Sequence, residues 1–97
     1  MIAPGGPGFT FNSTGILANA PAMSGVYAIY KPSAWIYIGE SRDVQARLLE
    51  HLNGDNACIL QQGPTGFQCE AVAANQRVAR QDALILALAP TCNRRLG

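Results

Sequence analysis

The stretch GVYAIYKPSAWIYIG, residues 25–39, determines the fold that we predict for this chain. Its first six residues are rich in β-branched and aromatic side chains, Lys31-Pro32-Ser33 interrupts the run, and residues 35–39 repeat the same character. Two such runs around a short breaker are typical of strands joined by a tight turn. The stretch therefore predicts an antiparallel hairpin, in which strand alternation sends Tyr27 and Tyr30 to opposite faces.

Immediately after the hairpin the pattern becomes helical. Ser41 is suited to cap this helix, and Asn53-Gly54 is suited to end it. The apolar residues of the helix recur every four positions, at Val44, Leu48 and Leu52. This spacing predicts an amphipathic helix that packs on one side.

Two further elements complete the predicted domain. Residues 67–72 alternate apolar with polar side chains, as a half-buried strand does. Asn75 is suited to cap a second helix that runs to about Leu88, because Pro90 forbids its continuation. The predicted fold class is α/β, of the α+β type: a small three-stranded antiparallel sheet flanked by helices, in the order β-β-α-β-α.

The first residues of the chain have a different composition. Gly, Pro, Ala, Asn and Ser dominate there, and they favour turns and extended segments over helix. We predict a Gly/Pro-rich leader at residues 1–23, with a short turn near Leu17, followed by one domain at residues 24–97. A length of 97 residues fits a single domain.

Charge and cysteine usage limit the classes of function. The net charge of +1 is far from the strongly basic balance of an independent nucleic-acid binder, so tight binding would need another domain or subunit. The three cysteines form neither a zinc-ligand pair nor an obvious disulfide framework, which predicts free thiols in a reducing cytoplasm. No membrane segment or signal sequence is recognised, so we expect no membrane partner.

Three polar residues stand out against the helical patterns. Arg47 and His51 are four apart and share the border of the apolar stripe, where they are either solvated or suited to hold a phosphate and move a proton. Gln81 falls within the apolar face of the second helix, defined by Val78, Leu84, Ile85 and Leu88. A buried amide needs a partner, so Gln81 makes a structural hydrogen bond or lies in a functional pocket, unless the helix register differs by one residue from the one predicted.

Taken together, these positions resemble the GIY-YIG nuclease family over residues 24–93. The first family motif is present as Gly25-Val26-Tyr27 and the second as Tyr37-Ile38-Gly39. The family arginine corresponds to Arg47, ten residues after Tyr37, and the histidine of restriction-type members corresponds to His51. The C-terminal pattern of the family is present as Gln81, Leu84-Ile85, Pro90 and Asn93.

The resemblance implies a metal-dependent endonuclease that hydrolyses DNA phosphodiester bonds with Mg²⁺ or Mn²⁺. It implies Tyr27 as the base or water-positioning residue, Arg47 as the phosphate clamp and His51 as the proton-transfer partner. Tyr37 and Asn93 are expected to support and orient the site. The metal position of the family is that of Gln81.

One departure from the family bears directly on activity. Gln81 replaces the metal-binding glutamate, and a hard divalent cation prefers anionic oxygen. Asp82 is adjacent, but one residue along a helix turns it by about 100°. We therefore expect impaired or inactivated cleavage. The alternatives are a catalytically degenerate domain that binds nucleic acid or protein, and a small α/β domain with no nucleic-acid role.

Overall fold

The computed structural model describes residues 1–93, which form a four-stranded antiparallel sheet with helices on both faces. The strands are β1 (Phe9–Thr10), β2 (Gly25–Lys31), β3 (Ala34–Ser41) and β4 (Gly66–Ala71). Their order across the sheet is β1-β4-β2-β3. The long strand β2 thus lies between β4 and β3, at the centre of the domain.

Within residues 1–93, four α-helices accompany the sheet. They are α1 (Ser13–Asn19), α2 (Val44–Leu52), α3 (Ala57–Gln61) and α4 (Arg77–Leu88), and a short 3-10 turn at Ala74–Gln76 precedes the last of them. In the part of the chain that the structure describes, no helix is long and apolar enough to cross a membrane.

The predicted hairpin is confirmed as β2 and β3. Tyr27 pairs with Gly39, and a register shift between Ile29 and Tyr30 leaves Ile36 as an extra residue on β3. Such a bulge bends its strand and increases the local twist. It also brings both Ile36 and Tyr37 to the core on the same side of the sheet.

Strand alternation divides the core into two layers. Tyr27 and Ile29 of β2 pack with Leu48 of α2 on one face, which we call the α2 face. Val26 and Ala28 pack with Leu84 and Ile85 of α4 on the other, the α4 face. Tyr30 also lies on the α4 face, against Trp35, so the opposite orientation predicted for Tyr27 and Tyr30 is confirmed.

Two predictions are wrong because of the first 20 residues. The sheet has four strands, not three, and the segment predicted to form turns contains a strand and a helix. Residues 9 and 10 form β1, which pairs with Phe67 and Gly66, and the turn predicted near Leu17 is part of α1. Phe11, Ile16 and Ala20 enter the α2-face core. The Gly- and Pro-rich composition around them concealed a short helix capped by Asn12.

Both predicted helix caps differ from the observed ones. Asp43, not Ser41, caps α2 by accepting a hydrogen bond of 3.0 Å from the Ala46 amide. Helix α4 begins at Arg77 after the 3-10 turn and has no side-chain cap, although it ends at Leu88 as predicted. Val78, predicted on the apolar face of α4, is 58% exposed.

The cysteine prediction is also wrong. Cys58 in α3 and Cys92 form a disulfide, with Cα atoms 5.8 Å apart, and only Cys69 is a free thiol. The two partners are 34 residues apart in sequence, so spacing along the chain carried no sign of their contact. The expectation of a reducing compartment rested on three free thiols, and this basis no longer holds.

Candidate active site

A buried phenol–imidazole pair lies at the centre of the α2 face. The Tyr27 hydroxyl and His51 Nε2 are 2.7 Å apart, and their side chains are 1% and 0% exposed. Tyr27 faces α2 because of its position in the alternation of β2. His51 is one turn after Arg47 on α2, and it is enclosed rather than solvated.

Tyr37 completes an aromatic cluster around this pair. Its ring centroid is 5.2 Å from that of His51 and 6.3 Å from that of Tyr27. Gly39 lies across the sheet from Tyr27, and a Cβ atom there would come within 2.3 Å of the Tyr27 hydroxyl. Because the glycine of the second motif has no side chain, there is room for the Tyr27 hydroxyl beside it.

Arg47 adds positive charge at the border of the cluster. Its Nη1 atom is 2.8 Å from Glu50 Oε1 and 2.8 Å from Asp55 Oδ2. The hydrogen bond to Glu50, with smaller contributions from Tyr27 and Asp55, raises the pKa of Arg47, while burial acts against it. The guanidinium thus remains charged, and two carboxylates already pair with its Nη1 atom.

Burial governs the protonation of Tyr27. It raises the pKa of Tyr27 well above the usual range, and the neighbouring Tyr37 adds to the effect. The charge and hydrogen bond of Arg47 act in the opposite direction but do not outweigh burial. Tyr27 is therefore a neutral phenol at neutral pH, and its hydroxyl can donate or accept a hydrogen bond.

His51 is neutral for a related reason. Burial first, and then the positive charge of Arg47, lowers the pKa of His51 to about 4, while Asp55 and Glu50 oppose this change. The Nδ1 atom is buried and has no hydrogen-bond partner among residues 1–93. Asp55 Oδ2 is the nearest carboxylate oxygen, at 3.6 Å from Nδ1.

Gln81 does not join the hydrogen bonds of this cluster. It is half-buried on α4, the helix that packs on the opposite face of the sheet, and its amide donates to Asp82 Oδ1 at 3.3 Å. The predicted convergence of Tyr27, Tyr37, Arg47 and His51 is thus present, whereas Gln81 makes no hydrogen bond to any of these four side chains.

The donor atoms do not fit a tightly held divalent cation. Within residues 1–93 no group of three or more His, Cys, Asp or Glu side chains is arranged to hold a metal ion. The position expected to bind metal offers a neutral amide, and Mg²⁺ prefers anionic oxygen. The side chains of the described part of the chain therefore supply no strong Mg²⁺ or Mn²⁺ site.

Asn93 acts on the backbone of β3 instead of on the cluster. Its Oδ1 accepts from the Ile38 amide and its Nδ2 donates to the Ile38 carbonyl, both at 2.8 Å. Cys92 N also donates to Ile36 O at 2.7 Å, so the segment covers the outer edge of β3. Asn93 fixes the strand on either side of Ile38, where Tyr37 and Gly39 lie.

Two residues of the site were not found from the sequence. Glu50 and Asp55 pair with Arg47, and Asp55 also faces His51. Their spacing to Arg47 and His51, three and four residues respectively, is the one signal that could have indicated them. Asp55 lies beyond Leu52, the last residue of α2, so helix periodicity did not reach it.

Solved structures with the same fold are nuclease domains. The GIY-YIG N-terminal endonuclease domain of UvrC from Thermotoga maritima, bound to its catalytic magnesium, matches with a TM-score of 0.69 and 23% identity. The match covers 77% of this chain and 88% of that one. An asparagine-to-alanine mutant of that domain gives a TM-score of 0.70 at 23% identity, covering 78% and 88%. This likeness establishes the fold.

Sequence comparison assigns the family. The profile of the GIY-YIG catalytic domain matches residues 23–81, more than half of the chain. The chain belongs to the GIY-YIG family, as the resemblance of its motifs predicted. No curated protein sequence matches it significantly.

Proposed function

We propose that this domain acts on nucleic-acid phosphodiesters, DNA in the first instance, with the nuclease site of its family and with cleavage impaired by Gln81. The observation that carries the proposal is the 2.7 Å contact between the Tyr27 hydroxyl and His51 Nε2. A phenol whose proton has a direct acceptor is suited to activate or position an attacking water. Tyr37 supports this pair through its ring contacts.

Arg47 is the residue that we propose to clamp the phosphate. A guanidinium binds phosphate oxygens through paired donors, and Arg47 stands close enough to Tyr27 to act on its pKa. Its present partners, Glu50 and Asp55, are at least two-fifths exposed and thus free to move aside when a phosphate arrives. With a net charge of +1 for the chain, we propose that another DNA-binding domain or subunit supplies further phosphate contacts.

Gln81 is the reason for impaired cleavage in this proposal. When bound, a divalent cation supplies charge that stabilises the reacting phosphate. An amide retains the shape of a glutamate and removes the negative charge that attracts the cation. Asn93, through Ile38, keeps β3 and Tyr37 in register and so acts as a positioning residue.

The test is a nicking assay on supercoiled DNA with Mg²⁺ and Mn²⁺ titrations, applied to this chain and to Gln81→Glu. We expect little or no cutting by the original chain and metal-dependent cutting by the variant. Arg47→Ala added to Gln81→Glu should abolish the gain. If Gln81→Glu binds metal and DNA but does not cut, the proposed hydrolytic function is wrong.

A second candidate is a non-catalytic module that binds nucleic acid or protein. Two observations together favour it. The metal position lacks a carboxylate, and the guanidinium of Arg47 is already paired with two carboxylates. The same assay separates the two candidates. Salt-dependent DNA binding by both chains, with no cutting by either, supports the module.

A further inference from the structure

The two ring nitrogens of His51 have different surroundings. Nε2 is paired with the Tyr27 hydroxyl, whereas Nδ1 is buried and has no hydrogen-bond partner within residues 1–93. Asp55 Oδ2 lies 3.6 Å from Nδ1 and 2.8 Å from Arg47 Nη1. One carboxylate oxygen is therefore shared between a guanidinium and the unpaired side of the imidazole.

The contact between the Tyr27 hydroxyl and Nε2 is possible in either tautomer of His51. The hydroxyl donates when the ring proton is on Nδ1 and accepts when it is on Nε2. The Asp55 carboxylate, 3.6 Å from Nδ1, favours a proton on Nδ1 by its charge. In the other tautomer a lone pair on Nδ1 would face the carboxylate, which is unfavourable.

We propose that Asp55 is a positioning residue that holds His51 in the tautomer protonated at Nδ1, so that Nε2 accepts a hydrogen bond from the Tyr27 hydroxyl. Its consequence for cleavage rests on the proposed function. With its proton held by Nε2, the Tyr27 hydroxyl keeps its oxygen lone pairs free to orient an attacking water.

The charged and titratable groups around His51 come from three elements and the segment after α2. They are Tyr27 of β2, Tyr37 of β3, Arg47 and Glu50 of α2, and Asp55. Arg47 disfavours the imidazolium, and the two carboxylates favour it, Asp55 more than Glu50. Binding of a phosphate to Arg47 would release the shared Asp55 oxygen towards Nδ1, which couples substrate arrival to the basicity of Nε2.

The chain offers a direct test, because His51 is its only histidine. Nitrogen-proton correlation NMR of the uniformly labelled full chain reports the tautomer and the pKa of this one ring without overlap. We would compare the wild type, Asp55→Ala and Glu50→Gln. Glu50 is the matched control, because it makes the same 2.8 Å contact with Arg47 Nη1 and lies outside the ion-pair distance of His51.

We expect the tautomer protonated at Nδ1 in the wild type and in Glu50→Gln. In Asp55→Ala we expect a mixture of tautomers and a pKa of His51 below the wild-type value. If Asp55→Ala does not fold, Asp55→Asn provides the same reading, since it removes the charge and keeps the shape. A wild-type proton on Nε2, or an unchanged tautomer and pKa in the Asp55 variant, overturns the proposal.

Cleavage gives a second measurement in the Gln81→Glu chain. There, Asp55→Ala should lower the nicking rate at least about tenfold, as loss of a group that orients a catalytic acid or base does, and Asn75→Ala, at an exposed position outside the site, should not. The two proposals fail separately. Absence of nicking in every variant contradicts the proposed function, whereas the NMR result on Asp55 stands without any activity.

Discussion

The hydroxyl of Tyr27 and Nε2 of His51 lie 2.7 Å apart in a region where neither side chain is more than 1% exposed. Within residues 1–93, His51 Nε2 has no other hydrogen-bond partner, so loss of the contact leaves this buried atom unpaired. This pair joins β2 to α2 within the core of the α2 face.

Removal of the Tyr27 hydroxyl should therefore destabilise the fold. Tyr27→Phe leaves His51 Nε2 buried without a donor, and we expect the free energy of unfolding to fall by about 1–3 kcal/mol. Urea denaturation measures the change. Tyr30→Phe is the matched control, because the structure assigns its hydroxyl no hydrogen bond within residues 1–93, and it should change stability by less than about 0.5 kcal/mol. Equal losses in the two variants would refute the pairing.

Stability should depend on pH through His51. The pKa of this residue is about 4 in the folded chain and near the ordinary 6.5 when unfolded. Below pH 6.5 the unfolded chain gains a proton that the folded chain does not take up until about pH 4. Above pH 6.5, titration of His51 therefore does not change the free energy of unfolding. As the pH falls from 6.5 towards 4, it lowers the free energy of unfolding by up to about 3 kcal/mol.

Comparison of wild type with His51→Gln isolates this effect, because both chains share every other titrating group. Denaturation at a series of pH values between 4 and 7.5 gives the difference in the free energy of unfolding. We expect the wild type to lose its advantage progressively towards pH 4. A difference that stays constant across the series would show that His51 already takes up its proton in the folded state.

Metal binding should require a carboxylate at position 81. In Gln81→Glu, we expect Mn²⁺ or Mg²⁺ to raise the midpoint of thermal unfolding in a concentration-dependent way, since a ligand that binds only the folded state stabilises it. The original chain should show little change. Gln61→Glu, at an exposed position on α3, adds the same charge elsewhere and serves as control. Equal stabilisation of all three chains would indicate non-specific binding.

Asn93 should protect the outer edge of β3. Asn93→Ala removes both hydrogen bonds to the Ile38 backbone, and we expect faster hydrogen exchange at the Ile38 amide and a stability loss of about 1–3 kcal/mol. Asn75→Ala, at an exposed position, is the control and should leave exchange at Ile38 unchanged. Unaltered exchange at Ile38 in Asn93→Ala would mean that the backbone contacts of Cys92 suffice to close the edge.

The hairpin, β4, α2 and the end of α4 could be predicted because each has a strong local pattern. The β1 strand and α1 could not, since their burial comes from contacts such as Phe9 with Phe67 that join distant parts of the chain. The disulfide was missed for the same reason. In each case the deciding contact is tertiary, and local composition pointed elsewhere.

The candidate site was predictable where family motifs supply fixed spacing. Tyr27, Tyr37, Arg47 and His51 do converge, as the motifs indicated. Asp55 was not predicted, because it lies after the end of α2 and becomes part of the site only through the turn that follows. The surroundings of Gln81 also required the structure, since helical periodicity gives a face but not the partner of an amide.

The bond between Cys58 and Cys92 makes the segment between them a closed covalent ring that contains β4 and α4. A protease that cuts once inside this ring opens the loop without releasing a fragment, and the sheet keeps all its strands in one molecule. Separation of the pieces needs both the cut and a reductant. A nicked form of this protein would therefore migrate as intact chain on a denaturing gel until a thiol is added.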